Sequence, residues 1–218
     1  MAELPLVKLV LTLISGLCWT FVYIDGIRLG LRDRSYAIPF YAIALNLAWE
    51  FLHTVFGWQA GLSVQLVVNA VWFLFDLGIL YTYFRFGRRY FPPSLPQAGF
   101  ITWSLLGIAT ALLIQYAFIR EFGPSVAAGY AAFLQNLLMS ILFIDMLVKR
   151  GNRAGQSLGI AVSKWIGTLA PTIQFGILGD GAFPRGSFLI LVAGLLCTVF
   201  DVLYIWLILK FPPAQIGD

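Results

Sequence analysis

Charge is scarce in this sequence. Only 11% of its 218 residues are Asp, Glu, Lys or Arg, against about 25% in an ordinary soluble domain. That shortage excludes a water-soluble globular fold. The net charge of +4 comes from short basic clusters between apolar runs, which is no signature of nucleic-acid binding. Histidine occurs once, as His53, and cysteine twice, as Cys18 and Cys197. One histidine cannot build a zinc site, and no CxxC or HExxH spacing is present, so no metal and no cofactor is expected. The two cysteines sit in apolar runs at opposite ends of the chain and read as small core residues rather than a disulfide. The first apolar run has no basic leader and no small-residue cleavage site, so it reads as a retained helix.

What is present is apolar: 60% of the residues are hydrophobic. A membrane-spanning helix needs roughly 20 mostly apolar residues. Seven runs qualify, near Leu6–Ile24, Ile38–Phe56, Leu62–Phe84, Phe100–Ile119, Val126–Val148, Leu158–Leu178 and Ser187–Leu209. The short connections carry the breakers, as in "FPPSLP" and "GDGAFPRG". The expectation is an all-α integral membrane protein, a seven-transmembrane-helix bundle forming one domain over residues 1–218. Its surroundings are the lipid bilayer, and no obligatory protein partner is expected.

Loop charges orient the bundle. Arg28, Arg32 and Arg34, then Arg85, Arg88 and Arg89, then Lys149, Arg150 and Arg153 fall in the odd-numbered loops. The even-numbered loops hold only Arg120 and Arg185, beside Glu121 and Asp180. The rule that basic loops stay inside puts the N-terminus outside and the C-terminus in the cytoplasm.

Ionisable side chains within spans are costly and usually face the bundle interior. Asp145 lies four residues before Lys149, the spacing of an interfacial ion pair. Lys164 is about two turns into its helix, close enough to snorkel to the interface. Glu50 and Asp201 each lie on the order of 10 Å from the nearer helix end, too deep for a short side chain to reach water. Glu50 sits in "NLAWEFLH" with Asn46, Trp49 and His53. Asp201 follows Phe200 and has Tyr204 three residues on; Asp76 shares a face with Asn69 and Trp72, next to Phe75. Three helices thus turn polar and aromatic stripes inward. One reading is interhelical hydrogen bonding that holds the bundle. The other is chemistry: desolvation disfavours the charged form of a carboxyl group, and a neutral carboxyl can give up a proton to an oily substrate.

The run "DRSYAIPFYAIALNLAWEF", Asp33 to Phe51, resembles the corresponding stretch of the membrane-bound terpene cyclases of meroterpenoid, indole-diterpene and related prenylated-indole pathways. The shared elements are the Asp-Arg-Ser/Thr-Tyr entry to the second helix and Asn-x-x-Trp-Glu within it. The family's seventh helix carries a functional aspartate, matched here by Asp201. The resemblance implies a seven-helix enzyme. It would protonate the terminal alkene or epoxide of a prenyl chain, such as farnesyl, attached to an acceptor, and cyclise it through a carbocation. Glu50 and Asp201 would then be the acidic pair, one delivering the proton and the other orienting it or its partner; Asp76, read from its own helix face, is a third candidate catalytic carboxyl. Asn46, Trp49, His53, Asn69, Trp72, Phe75, Phe200 and Tyr204 would line the substrate, with His53 either a final base or a structural partner. Aromatic faces suit such chemistry because they attract cations. The sequence also has no DDxxD cluster for magnesium diphosphate and no DxDD motif, so diphosphate loss is not expected. The membrane would be a bacterial plasma membrane or the endoplasmic reticulum.

A proton-coupled small-molecule transporter is the alternative, since midplane acids serve carriers too. It lacks support from any repeat between the first three and last three helices. A retinal protein would need a midspan lysine in the seventh helix, where there is none. A scaffold leaves three buried acids without a purpose.

Overall fold

A computed structural model describes residues 3–62 and 64–214. Among them the regular structure is helical: α1 Glu3–Arg32, α2 Phe40–Ala60, α3 Val64–Phe86, α4 Gln97–Phe122, α5 Pro124–Arg150, α6 Leu158–Ile173 and α7 Phe188–Lys210. The ends follow local chemistry. Ser157 and Ser187 cap α6 and α7, each hydroxyl accepting the backbone N–H three residues on. Gly123, at φ +74°, is the whole link between α4 and α5, and Pro124 opens α5 where a missing N–H costs nothing.

Six of the seven expected runs map onto one helix each, with α1 continuing well past its apolar run. The run ending at Leu178 is different: α6 stops at Ile173 and passes into a π-helical turn, Gln174–Leu178. Pro171, lacking its N–H, weakens the α-helical ladder there. Among the described residues, five helices are long and apolar enough to cross a membrane, namely α1, α3, α4, α5 and α7. The other two fall short for different reasons: α2 spends positions on Asn46, Glu50 and His53, whereas α6 is only 16 residues long.

The helices close into a ring in the order α1, α3, α2, α5, α7, α6 and back to α1, each packed on the next. Helix α4 sits outside, against α2 and α5. One core cluster joins Val22, Ile43, Ile79, Met139, Phe143, Ile160 and Tyr204 across six helices. A second gathers Phe133, Ile190 and Ala193 around Phe183 from the α6–α7 connection. Large apolar residues also cover the outside: Leu17 is 71% exposed and Phe188 81%. Apolar outer faces around buried carboxylates, amides and a lysine are the pattern of a chain whose solvent is lipid.

The end of the bundle rich in arginine is tied shut. Asp33 accepts the Gly155 N–H at 2.9 Å and pairs with Arg32 at 2.6 Å. Ser35 shares a 3.0 Å hydrogen bond with Tyr90. Arg150 donates to the carbonyls of Tyr36, at 2.9 Å, and Ala154, at 2.6 Å. Its guanidinium lies 4.3 Å from the Tyr36 ring centre and 4.5 Å from that of Tyr90. The Asp-Arg-Ser-Tyr entry to α2 thus fastens three connections together, a structural task. At the other end Asp180 accepts from Gln174 at 2.6 Å and lies 3.7 Å from Lys8, while Thr12 donates to Gln174 at 3.2 Å.

Candidate active site

The spacing of Asn46, Glu50 and His53 gives α2 one inward polar face. Asn46, Glu50 and His53 are all buried, as are Asn69 and Asp76 on α3. The Glu50 and Asp76 carboxyls are near enough to interact electrostatically. Tyr23, reaching in from α1, stands beside both. Its hydroxyl accepts from the Asn46 amide at 3.3 Å and faces Asp76 without forming a well-shaped hydrogen bond, since neither Asp76 oxygen has one. Glu50 Oε2 likewise has no hydrogen-bond partner.

A file of amides holds Asn46 in place. Gln115 on α4 donates to Gln135 on α5 at 2.5 Å, and Gln135 donates to Asn46 at 3.1 Å. Five helices therefore contribute to one polar chain that ends at two carboxyls. Aromatic rings surround that end: Phe75 stacks on Tyr23 at 5.9 Å, and Trp72 lies 6.1 Å away, its N–H donating to Thr20 at 3.4 Å. Trp49 and His53 pack against each other at 4.5 Å, their rings tilted by 46°, farther along α2, where Trp49 donates to the Ala128 carbonyl at 3.1 Å.

Asp201 belongs to a second centre. It lies on α7, separated from α2 around the ring by α5. Lys164 donates to its Oδ1 at 2.7 Å and to Ser140 at 2.6 Å. The lysine is 0% exposed and the aspartate 1%. The snorkelling expected of Lys164 is thus corrected: α6 turns it inward, where the partner charge is, and a cation out of water is tolerated only beside an anion. Asn136 donates to Thr168 at 2.7 Å in the same layer. Phe143 packs edge-on against Tyr204 at 5.3 Å. Asp201 Oδ2 and the Tyr204 hydroxyl are buried without hydrogen-bond partners.

The expected residues therefore divide. Asn46, Glu50, Asp76, Trp72 and Phe75 converge around Tyr23; Asp201 and Tyr204 form the other centre with Lys164. Asn69 is buried on α3, and Trp49 and His53 make their own tilted pair. Phe200 is only half-buried, turned about 100° around α7 from Asp201. Sequence reasoning missed Tyr23, Gln115 and Gln135. The signal was present as amides and a phenol within apolar runs, as in "LLIQYAF", "AAFLQNLLM" and "WTFVYI". Asp145 and Lys149 form the expected pair at 2.8 Å.

Comparison with known proteins decides the family. Residues 2–213 match the family model of Pyr4-like transmembrane terpene cyclases. The chain belongs to that family. Among its relatives, the Pyr4-family terpene cyclase mfmH of Annulohypoxylon moriforme is 38% identical over 168 residues, 76% of this chain and 68% of that protein. Terpene cyclase macJ of Penicillium terrestre is 31% identical over 172 residues, 75% of this chain and 64% of macJ. Terpene cyclase esdpB of Penicillium shearii is 29% identical over 168 residues, 77% and 66% of the two chains. The chain thus spans about two thirds of the length of these curated relatives. No solved structure matches it. The family anticipated from the Asp33–Phe51 run is the family found, and membership makes the chain an integral membrane protein.

Proposed function

We propose that this transmembrane terpene cyclase protonates the terminal alkene or epoxide of a prenyl chain carried on an acceptor and folds it into rings through a carbocation. Metal and diphosphate loss play no part in the scheme. Glu50 is the proton donor. The observation that carries the reading is the Glu50–Asp76 pair: two buried carboxyls within electrostatic reach of each other, with no lysine or arginine among the described residues paired to either. Two uncompensated charges in so dry a place would be expensive, so the pair is suited to keeping a proton to give.

The surroundings fit each further requirement. Asn46, fixed by Gln135, orients Tyr23, which stands near both acids. Tyr23, Trp72 and Phe75 offer π-faces to a travelling cation, an attraction worth about 2 kcal/mol per desolvated contact. General acid catalysis adds roughly 10²–10⁴-fold. All seven helices are proposed to cross the membrane as a single domain, N-terminus outside and C-terminus cytoplasmic, from the nine basic residues in the odd loops against two in the even ones. Family membership leaves the transporter reading without support.

The test is conversion. Membranes from a host lacking such pathways, expressing this chain, are given farnesylated and epoxyfarnesylated aromatic acceptors. A product of unchanged mass and shifted chromatographic retention is expected. Proton flux without any isomer would favour the carrier instead.

A further inference from the structure

The two buried centres differ in charge balance. The Glu50–Asp76 pair has no cation, whereas Asp201 has the Lys164 ammonium 2.7 Å from its Oδ1. Lys164 is anchored by a second contact, to Ser140 at 2.6 Å, so its direction is fixed. With Oδ1 engaged, Asp201 Oδ2 remains, buried and without a hydrogen-bond partner, on the same face as the equally unpartnered Tyr204 hydroxyl. Tyr204 and Tyr23 belong to one continuous core cluster that also contains Met139 and Phe143. On the cyclase reading, a prenyl chain lying along that cluster would come within reach of both centres.

We propose that Lys164 is a positioning residue that holds Asp201 as a carboxylate with Oδ2 free to accept, so that Asp201 takes up the proton that ends cyclisation and does not supply the one that starts it. The inference rests on the cyclase reading above and assigns opposite roles to two acids that otherwise look alike. A buried ammonium needs an anion beside it, and a carboxylate so paired accepts protons rather than donating them. The step balances. Glu50 gives its proton to the terminal alkene carbon, whose π electrons form the new C–H bond, or to the epoxide oxygen, whose C–O bond breaks. Ring closures move the cation along the chain. A C–H bond beside the last cation then breaks, its electrons form the new alkene, and its proton passes to Asp201 Oδ2. Water afterwards takes that proton from Asp201 and returns one to Glu50, so the product is an isomer of the substrate.

The experiment is infrared difference spectroscopy on the full chain in phospholipid vesicles, with aspartate labelled by ¹³C at the side-chain carboxyl. The wild-type spectrum minus that of the Lys164→Met, Asp201→Asn double variant, which leaves no unpaired charge buried, isolates one aspartate. Carboxylate stretches with no acid carbonyl band are expected. In Lys164→Met those stretches should give way to an acid carbonyl band. Turnover of an epoxyfarnesylated acceptor by this variant should fall about a hundredfold, with part of the product heavier by one water, as an unquenched cation is captured. Lys164→Arg, which keeps the charge, should recover part of the rate. An acid carbonyl band in the wild type overturns the inference, and that spectrum is decisive even if Lys164→Met fails to fold. So does a Lys164→Met enzyme that keeps the carboxylate stretches or the wild-type rate. If the wild type isomerises no prenylated acceptor, the cyclase reading itself fails and this inference with it, whatever the spectra show.

Discussion

The Lys164 ammonium donates to Asp201 at 2.7 Å, from α6 to α7, and neither side chain reaches solvent. Removing one partner of such a pair leaves a buried charge uncompensated, at a cost of about 3–5 kcal/mol, whereas removing both is often close to neutral. Asp201→Asn should therefore destabilise the bundle by that amount. The Lys164→Met, Asp201→Asn double variant should regain most of it. Reversible unfolding in mixed detergent micelles gives both values, and a double variant as unstable as the sum of the singles would show the two charges to be uncoupled.

Trp72 and Phe75 flank Tyr23 at 6.1 and 5.9 Å. Leucine in place of either keeps apolar bulk and removes the π-face. With about 2 kcal/mol at stake per desolvated cation–π contact, turnover should drop about thirtyfold. Partly cyclised products should rise. Rates and product profiles unchanged in both variants would remove the aromatic wall from the mechanism.

Gly155 has φ +73°, and a Cβ there would come 2.6 Å from the Tyr36 carbonyl oxygen. Gly155→Ala forces apart the contact that Asp33 and Arg150 secure. A loss of more than about 1 kcal/mol is expected. Because this end lies away from the carboxyl pair, activity per folded molecule should persist. A thermal midpoint equal to the wild type would show that the fastening matters little.

How much of this could be read from the chain follows from what periodicity encodes. A polar stripe such as Asn46–Glu50–His53 states which face of a helix turns inward, and that expectation matched the buried face found. The i,i+4 pair Asp145–Lys149 lies within one helix and was equally legible. Which helices are neighbours is a tertiary property. Nothing in α6 alone says that Lys164 meets Asp201, and Gln115 and Gln135 acquire meaning only once α4 and α5 pack on α2. Likewise hydropathy alone did not mark where, in the run to Leu178, α6 gives way to a π-turn, although Pro171 was a clue.

Orientation has its own test. With Cys18 and Cys197 replaced by alanine, a cysteine at Gly181 should react with an impermeant maleimide on intact cells or right-side-out vesicles. One at Arg89 should react only after the membrane is opened. The reverse pattern would invert the proposed topology.

The proposed chemistry turns on Glu50. Wild type and Glu50→Gln, brought to equal amounts of folded protein, are mixed with an epoxyfarnesylated acceptor, and formation of the mass-neutral isomer is followed over a single turnover. Glutamine keeps the shape and removes the acid, so the rate should fall by a hundredfold or more. Isomer formation at the wild-type rate in Glu50→Gln would show that the proton comes from elsewhere.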